Sequence, residues 1–337
     1  MAPVLFLIFN RPEHTARSFA AIRQVRPVRL YVAADGPRPN RADEAELCAR
    51  TRAVATAVDW PCEVHTRFND VNQGCRRAVS GALGWFFETE KDGIILEDDL
   101  VAHPSFFTFA NEMLARYRDD ERVFSINGSN YAYSPDWSES YGFSIFMNMH
   151  GWATWRRSYQ LVDPEMTSWA QQRRGKIPWL YRMLRGSAPR SEWQKIVWAA
   201  YWHDRFSAML DGSVDSWAYV WVYTGLLRRK LSVVPRAHMV RNIGWGPEAT
   251  HTPNPLDPRA DIAVAEMKFP LNHPTDVQTD PAYDIHAMNM WARYRDEYFR
   301  KRILKSFLFD LEPRIFPKLW QFARFIKLAF RETNAER

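Results

Sequence analysis

The chain has 337 residues, 46% hydrophobic and 25% charged, a balance that excludes a disordered or fibrous protein and leaves one large or two small globular domains. Its net charge of +6 is uneven: from Arg300 to Arg331 nine Lys or Arg stand against Asp310 and Glu312, a local +7 that leaves −1 for the rest. The body therefore offers no basic surface to a nucleic acid, and a nuclease would have nothing to hold its polyanion.

Val4–Phe9 is an apolar run without preceding basic residues, too short for a signal peptide or a membrane span, and it predicts a buried strand. Pro12–Val25 predicts a helix entered through Asn10 and Arg11, and Arg29–Ala34 a strand ending in Asp35-Gly36-Pro37. Asp43–Ala57 predicts a helix, Cys62–Phe68 a strand, and Gln73–Glu90 a helix entered through Asn72. Gly93–Leu96 is a further strand, and it ends abruptly in Glu97, Asp98 and Asp99. Repeated strand–helix units predict an α/β fold with a mainly parallel, twisted sheet flanked by helices. Ligands of such sheets sit beyond the carboxyl ends of the strands, where Asn10-Arg11, Asp35-Gly36 and the acidic triplet all fall. Three adjacent carboxylates repel one another and call for a cation or a donor network; oxygen ligands select hard ions, Mg²⁺ or Mn²⁺. The bland alternative is a solvated acidic turn.

Pro104–Tyr117 predicts a helix and Val123–Asn127 a short strand opening into Gly128-Ser129-Asn130. The middle of the chain is rich in tryptophan, with Met149-His150-Gly151-Trp152-Ala153-Thr154-Trp155 followed by a helical region over about Ser158–Leu210. Asp211–Tyr223 begins as a loop and carries Asp215-Ser216-Trp217, Leu231–Pro235 reads as a strand, and Arg241–Pro258 as a long loop suited to folding over a ligand. The 15 Trp, 13 Tyr and 21 Phe exceed an ordinary load, and aromatic faces stack on nucleobases and sugar rings as well as in cores. Cys48, Cys62 and Cys75 have no zinc or redox spacing and leave one unpaired in any disulfide scheme, which favours a reducing, cytoplasmic setting.

Ile94-Ile95-Leu96-Glu97-Asp98-Asp99-Leu100, with Pro104 and Phe106-Phe107 beyond it, resembles the inverting nucleotide-sugar glycosyltransferases of the GT-A fold, of the N-acetylglucosaminyltransferase I type and its bacterial relatives. Phe9-Asn10-Arg11, Asp35-Gly36, Gly151-Trp152, Asp215-Ser216-Trp217 and Thr250-His251 follow in matching order over about residues 1–255. The resemblance implies a nucleoside-diphosphate sugar donor, a UDP-sugar favoured, bound through Mn²⁺ or Mg²⁺. Asp99 would be the metal ligand, Asp98 would contact the ribose or donor sugar, and Glu97 would be structural. Arg11 and Asp35 match positions that hold the nucleoside, although Arg11 also suits a surface helix start and Asp35 a turn former. It further implies a division into a nucleotide-sugar-binding half over 1–130, an acceptor-binding and catalytic half over 131–258, helical and rich in aromatics, and an extension over 259–337.

An inverting transfer needs a general base remote in sequence from the metal acids. Asp215 is the candidate, in a segment with Trp217, Tyr219 and Trp221; the alternative is that it caps the helix starting at Ser216. Here the chain departs from the animal enzyme's pattern, which has two adjacent acids before the tryptophan. Trp152 and Trp217 could line a sugar or belong to the core, and His251 could meet the diphosphate or metal or be a bystander. Lys318–Arg331 predicts a basic amphipathic helix, suited to the inner face of an anionic membrane or to packing on protein. The implied acceptor is a glycan or lipid-linked saccharide in bacterial polysaccharide synthesis. A non-catalytic carbohydrate-binding or scaffold protein would leave the acidic triplet unused. A sugar-phosphate nucleotidyltransferase would usually place a Gly-rich loop where this chain has Phe9-Asn10-Arg11-Pro12.

Overall fold

Every residue of β1 (Val4–Ile8) is buried, as an interior strand of a sheet covered on both faces requires. It pairs in parallel with β2 (Arg29–Ala34), which pairs in parallel with β3 (Glu63–Phe68). On its other side β1 pairs in parallel with β4 (Asp92–Glu97), Leu7 opposite Glu97. Beyond β4 the order becomes mixed. β8 (Trp152–Trp155) runs antiparallel between β4 and β6 (Val123–Asn127); β6 then pairs in parallel with β9 (Leu231–Pro235), and β7 (Tyr141–Ser144) closes the edge antiparallel to β9. The sheet order is therefore β3-β2-β1-β4-β8-β6-β9-β7. A small second sheet joins β5 (Leu100–Ala102) to β10 (Val240–Asn242), antiparallel. The computed structural model describes residues 1–131, 137–172, 192–246 and 259–293, together with Asn254 and Asp257.

The helices follow from local signals. Pro12 opens α1 (Pro12–Val25) where a missing N–H costs nothing, and Phe19 and Ile22 face the core. α2 (Glu44–Thr56) and α3 (Cys75–Thr89) connect β2 to β3 and β3 to β4. α4 (Pro104–Arg116) is capped by the His103 ring, which accepts from the Ser105 N–H, and buries Phe106, Phe107 and Phe109. α5 (Arg156–Tyr159) follows β8, and α8 (Trp217–Arg228) precedes β9.

The chain forms two compact units, Met1–Pro164 with Asp215–Tyr283, and Glu165–Val214 with Asp284–Arg337. In the second, the described helices are α6 (Thr167–Gln172), α7 (Glu192–Leu210) and the greater part of α9 (Pro281–Arg293). Trp169 there packs edge-on against His203 and Phe206, with centroids 5.3 and 5.6 Å away. The segment expected as helical over Ser158–Leu210 is thus helical at 158–159, 167–172 and 192–210 and non-helical over 160–166, and its middle lies outside the described residues. So do Thr250, His251 and the basic helix expected over Lys318–Arg331. Among the described residues no helix is long and apolar enough to cross a membrane.

Gly36 ends the β2 exit in close contact with the chain after β3. A Cβ at Gly36 would fall 2.4–2.6 Å from the Val71 backbone, which has no rotamer with which to give way. Gly36→Ala is expected to cost about 1–3 kcal/mol, read as a lowered urea midpoint with an unchanged m-value.

Candidate functional site

β1 and β4 lie side by side in parallel, so they release their chains at one edge of the sheet. β1 gives Phe9, Asn10 and Arg11 before α1 begins; β4 gives Glu97 and then Asp98 and Asp99. The Phe9 N–H donates to Asp98 Oδ2 at 3.2 Å, and the Ser18 hydroxyl of α1 donates to the Asp98 carbonyl at 2.8 Å. The Arg11 guanidinium bridges the two aspartates, pairing with Asp98 Oδ1 and, at 3.0 Å, with Asp99 Oδ2. Burial works against the charge on Arg11, but Asp98 and Asp99 outweigh it and hold the guanidinium firmly protonated. Burial pushes the Asp98 carboxyl up, opposed by Arg11. The Asp99 side chain keeps 15% of its surface exposed against 5% for Asp98, so Asp99 is the more accessible of the two acids.

Glu97 meets its cost differently. Burial first, then the charges of Asp99 and Asp98, push its carboxyl up to about 8, and it takes a hydrogen bond from the Trp217 side chain. Glu97 is therefore protonated at neutral pH. Trp217 stacks on Trp152 with centroids 5.5 Å apart, and Trp152 meets Trp221 edge-on at 4.7 Å. Trp152 has no exposed surface and Trp217 only 4%, so both form the wall beneath Glu97.

Asp35, at the β2 exit, is filled by donors. It accepts from Gly36 N–H (2.9 Å), Asn69 Nδ2 (3.1 Å), Gln73 N–H (2.9 Å) and Gly74 N–H (3.2 Å), and so fixes the loop over 69–74 that leads into α3. Asp215 lies at the start of the same helix: its Oδ1 accepts from the Arg76 N–H at 3.1 Å. The cap that it provides is for α3, whereas α8, which follows it in sequence, has Ser216 at its N-cap with no side-chain hydrogen bond. Cys75 sits among these groups, its thiol pushed up to about 12 by burial and then by Glu97, Asp215 and Asp35. The acids from β2, β4 and the α8 approach thus converge on the first turn of α3.

Two further parts flank Asp99: the start of the loop expected over Arg241–Pro258, and a group around His150 that sequence reasoning missed. The loop after β10 returns over Asp99: the Ile243 N–H donates to the Asp99 carbonyl at 2.8 Å, and a Cβ at Gly244 would fall 2.2 Å from Asp99 Oδ2. On the other flank His150, Tyr131, Asn148 and Ser129 form a hydrogen-bonded group. Burial pushes the His150 imidazole down to about 4; Asp99 acts to raise it, and Arg259 and His238 to lower it further. Arg259 pairs with Asp257 at 2.6 Å and lies over the Trp245 ring at 5.1 Å. His150 precedes Gly151-Trp152, a pair the resemblance marks, but nothing in the sequence marks the histidine itself.

Hard divalent ions take few protein carboxylates and complete their shell with substrate phosphates and water. Among the described residues no group of three or more His, Cys, Asp or Glu is arranged to hold a metal ion. A partly exposed Asp99 beside an arginine fits the sparser kind of site.

No protein-family model matches the chain, and no curated protein matches it in sequence. Among solved structures, HddC from Yersinia pseudotuberculosis aligns at 9% identity over 47% of this chain and 78% of its own, with a TM-score of 0.30. Mannose-1-phosphate geranyltransferase from Thermus thermophilus aligns at 10% identity over 72% of this chain and 76% of its own, with a TM-score of 0.32. Likenesses at that level carry no argument about activity. The class is that of a Rossmann-like α/β protein, established by its own sheet.

The raised Glu97 carboxyl has a signed consequence. Its folded-state value, about 8, exceeds its free value of 4.5, so the contribution to stability is full below about 4.5 and is lost as pH rises through 8. In metal-free buffer Glu97→Gln is expected to remove that decline and to exceed wild type by roughly several kcal/mol at pH 8.5. Parallel urea curves from pH 5 to 8.5 measure it; an equal pH slope in both proteins would show that Glu97 is ionised throughout.

Proposed function

We propose that this protein is an inverting glycosyltransferase that moves a sugar from a nucleoside-diphosphate donor to a saccharide acceptor. The observation that carries the reading is the Arg11–Asp98–Asp99 cluster at the shared exit of β1 and β4, with Asp215 held at the same sheet edge by α3. Departure of a nucleoside diphosphate leaves negative charge on phosphate oxygens, and Arg11 is a cation suited to such oxygens. Asp99 with the donor phosphates would hold Mg²⁺ or Mn²⁺, which supplies Lewis-acid neutralisation of the leaving group.

Asp215 is assigned as general base. One oxygen is oriented by the Arg76 N–H, and Oδ2 has no hydrogen bond among the described residues. In the transfer Oδ2 takes the proton of the acceptor hydroxyl as that oxygen bonds to the anomeric carbon and the carbon–phosphate-oxygen bond breaks. Asp98, buried on Arg11 and the Phe9 N–H, orients Arg11. Protonated Glu97 spares the cluster a third charge. An arginine at a helix start also suits a triphosphate, so a sugar-phosphate nucleotidyltransferase is the second reading.

A melting-temperature panel of UDP, GDP, CDP, dTDP and the matching triphosphates, with and without Mn²⁺, decides between them. One diphosphate is expected to stabilise wild type by about 2.7 kcal/mol at a hundred times Kd, only with Mn²⁺, and not to stabilise Asp99→Asn. Asp215→Asn is expected to keep that stabilisation and to lose transfer by about 10²–10⁴-fold. Stabilisation by a triphosphate alone would favour the nucleotidyltransferase, and none by any nucleotide a carbohydrate-binding protein.

A further inference from the structure

His150 lies where the antiparallel strand β8 meets β4. Ile95 pairs with Trp152, so the turn that feeds β8, His150-Gly151, comes to the edge at which β4 releases Glu97. The Gly151 carbonyl accepts from the Gly128 N–H at 2.7 Å, which ties this turn to the end of β6.

The hydrogen bonds around the ring determine which nitrogen carries the proton. The Ser129 hydroxyl has a single proton, directed at the His150 carbonyl (3.2 Å) or at the Tyr131 oxygen, and in either case its oxygen accepts from Asn148 Nδ2 at 2.6 Å. That orients the Asn148 amide with Oδ1 toward Tyr131, and the His150 backbone N–H also points at this oxygen, at 3.4 Å. An amide oxygen cannot donate, so the Tyr131 hydroxyl proton goes to Asn148 Oδ1 at 2.8 Å. The Tyr131 oxygen can then only accept from His150 Nδ1, 2.7 Å away, and Nδ1 must bear the hydrogen. A neutral imidazole has one ring N–H, so Nε2 presents a lone pair. Among the described residues Nε2 has no hydrogen-bond partner.

We propose that this locked tautomer makes His150 a hydrogen-bond acceptor for a hydroxyl of the bound sugar, on the flank of Asp99. The assignment rests on the glycosyltransferase reading above. A lone pair repels phosphate oxygens, so Nε2 faces a hydrogen-bond donor or a cation; the donors of a nucleoside-diphosphate sugar beyond its base are hydroxyls, joined by the amide N–H in an N-acetylhexosamine. Serine, asparagine and tyrosine act beneath the ring as positioning residues.

Two measurements on the full chain test it. Nitrogen-15 NMR of the histidine rings is expected to find the His150 proton on Nδ1 in wild type and shifted toward Nε2 in Tyr131→Phe, which removes one oxygen and keeps the packing. A wild-type proton on Nε2 overturns the proposal. Binding of UDP, UDP-glucose and UDP-N-acetylglucosamine in Mn²⁺ is then compared across wild type, Tyr131→Phe and His150→Phe. His150→Phe is expected to weaken the tighter UDP-sugar by roughly tenfold, the worth of one hydrogen bond, and to leave UDP unchanged, with a smaller loss of the same kind in Tyr131→Phe. Equal loss for UDP and the UDP-sugar would put Nε2 on the metal or phosphates, and no loss would leave it without a role; either overturns the sugar contact. A folded wild type that binds none of the three removes the donor-binding reading and this contact with it, whereas the tautomer result stands by itself.

Discussion

Three carboxylates leave β4 in succession, and Arg11 supplies one positive charge against them. Bare ionisation of all three in a half-buried corner would be prohibitive. The cluster resolves this unevenly. Asp98 goes inside with Arg11 and the Phe9 N–H, Glu97 keeps its proton under Trp217, and Asp99 retains a partly exposed charge. Within these four groups one negative charge is left over. In the proposed function, Asp99 is the group on which that charge would meet a divalent cation.

The rest of the first unit follows from where Arg11 must stand. β1 has to lie next to β4, and α1 has to begin at Pro12 without an intervening loop, or the guanidinium could not reach both aspartates. Ser18, two turns along α1, then binds the Asp98 carbonyl and prevents the strand exit from swinging away. The candidate residues of β1, β2 and β4 lie at the carboxyl ends of their strands, where ligands of such sheets usually sit. The antiparallel β8 reverses it: the residues before the strand, not those after, arrive at this edge. That reversal brings His150 into the site from a segment whose pattern reads as core.

This explains which parts were legible in the sequence. β1, α1, β2, β6 and β9 lie within a residue of expectation, because each is a buried run bounded by Pro, Gly or charged residues. The convergence of Arg11, Asp98 and Asp99 was also legible, since parallel strands put their exits together. β5, β7, β8 and β10 were not. They are three or four residues long, too short for an alternating pattern to mark them. Trp152-Ala153-Thr154-Trp155 suits a sugar platform and a central strand equally in composition; pairing on both sides decides for the strand. Gly244 and His150 were hidden because what makes them matter, contact across more than a hundred residues in one case and a hydrogen-bond chain in the other, leaves no local trace.

Asp35 and Asp215 show how one residue type divides its roles. A carboxylate has about four lone-pair positions. Asp35 spends them on Gly36, Asn69, Gln73 and Gly74, and a nucleoside hydroxyl would have to displace one of these. Asp215 spends one position, on Arg76, and keeps Oδ2 for other work. Both hold the same stretch of chain, one on each side of Gly74. That residue has φ +81, and a Cβ there would fall 2.8 Å from Asp215 Oδ2, so only glycine lets the chain turn between the two acids. The 69–74 loop is therefore what keeps the Asp215 carboxylate in register with the acids of β4, although it touches none of them.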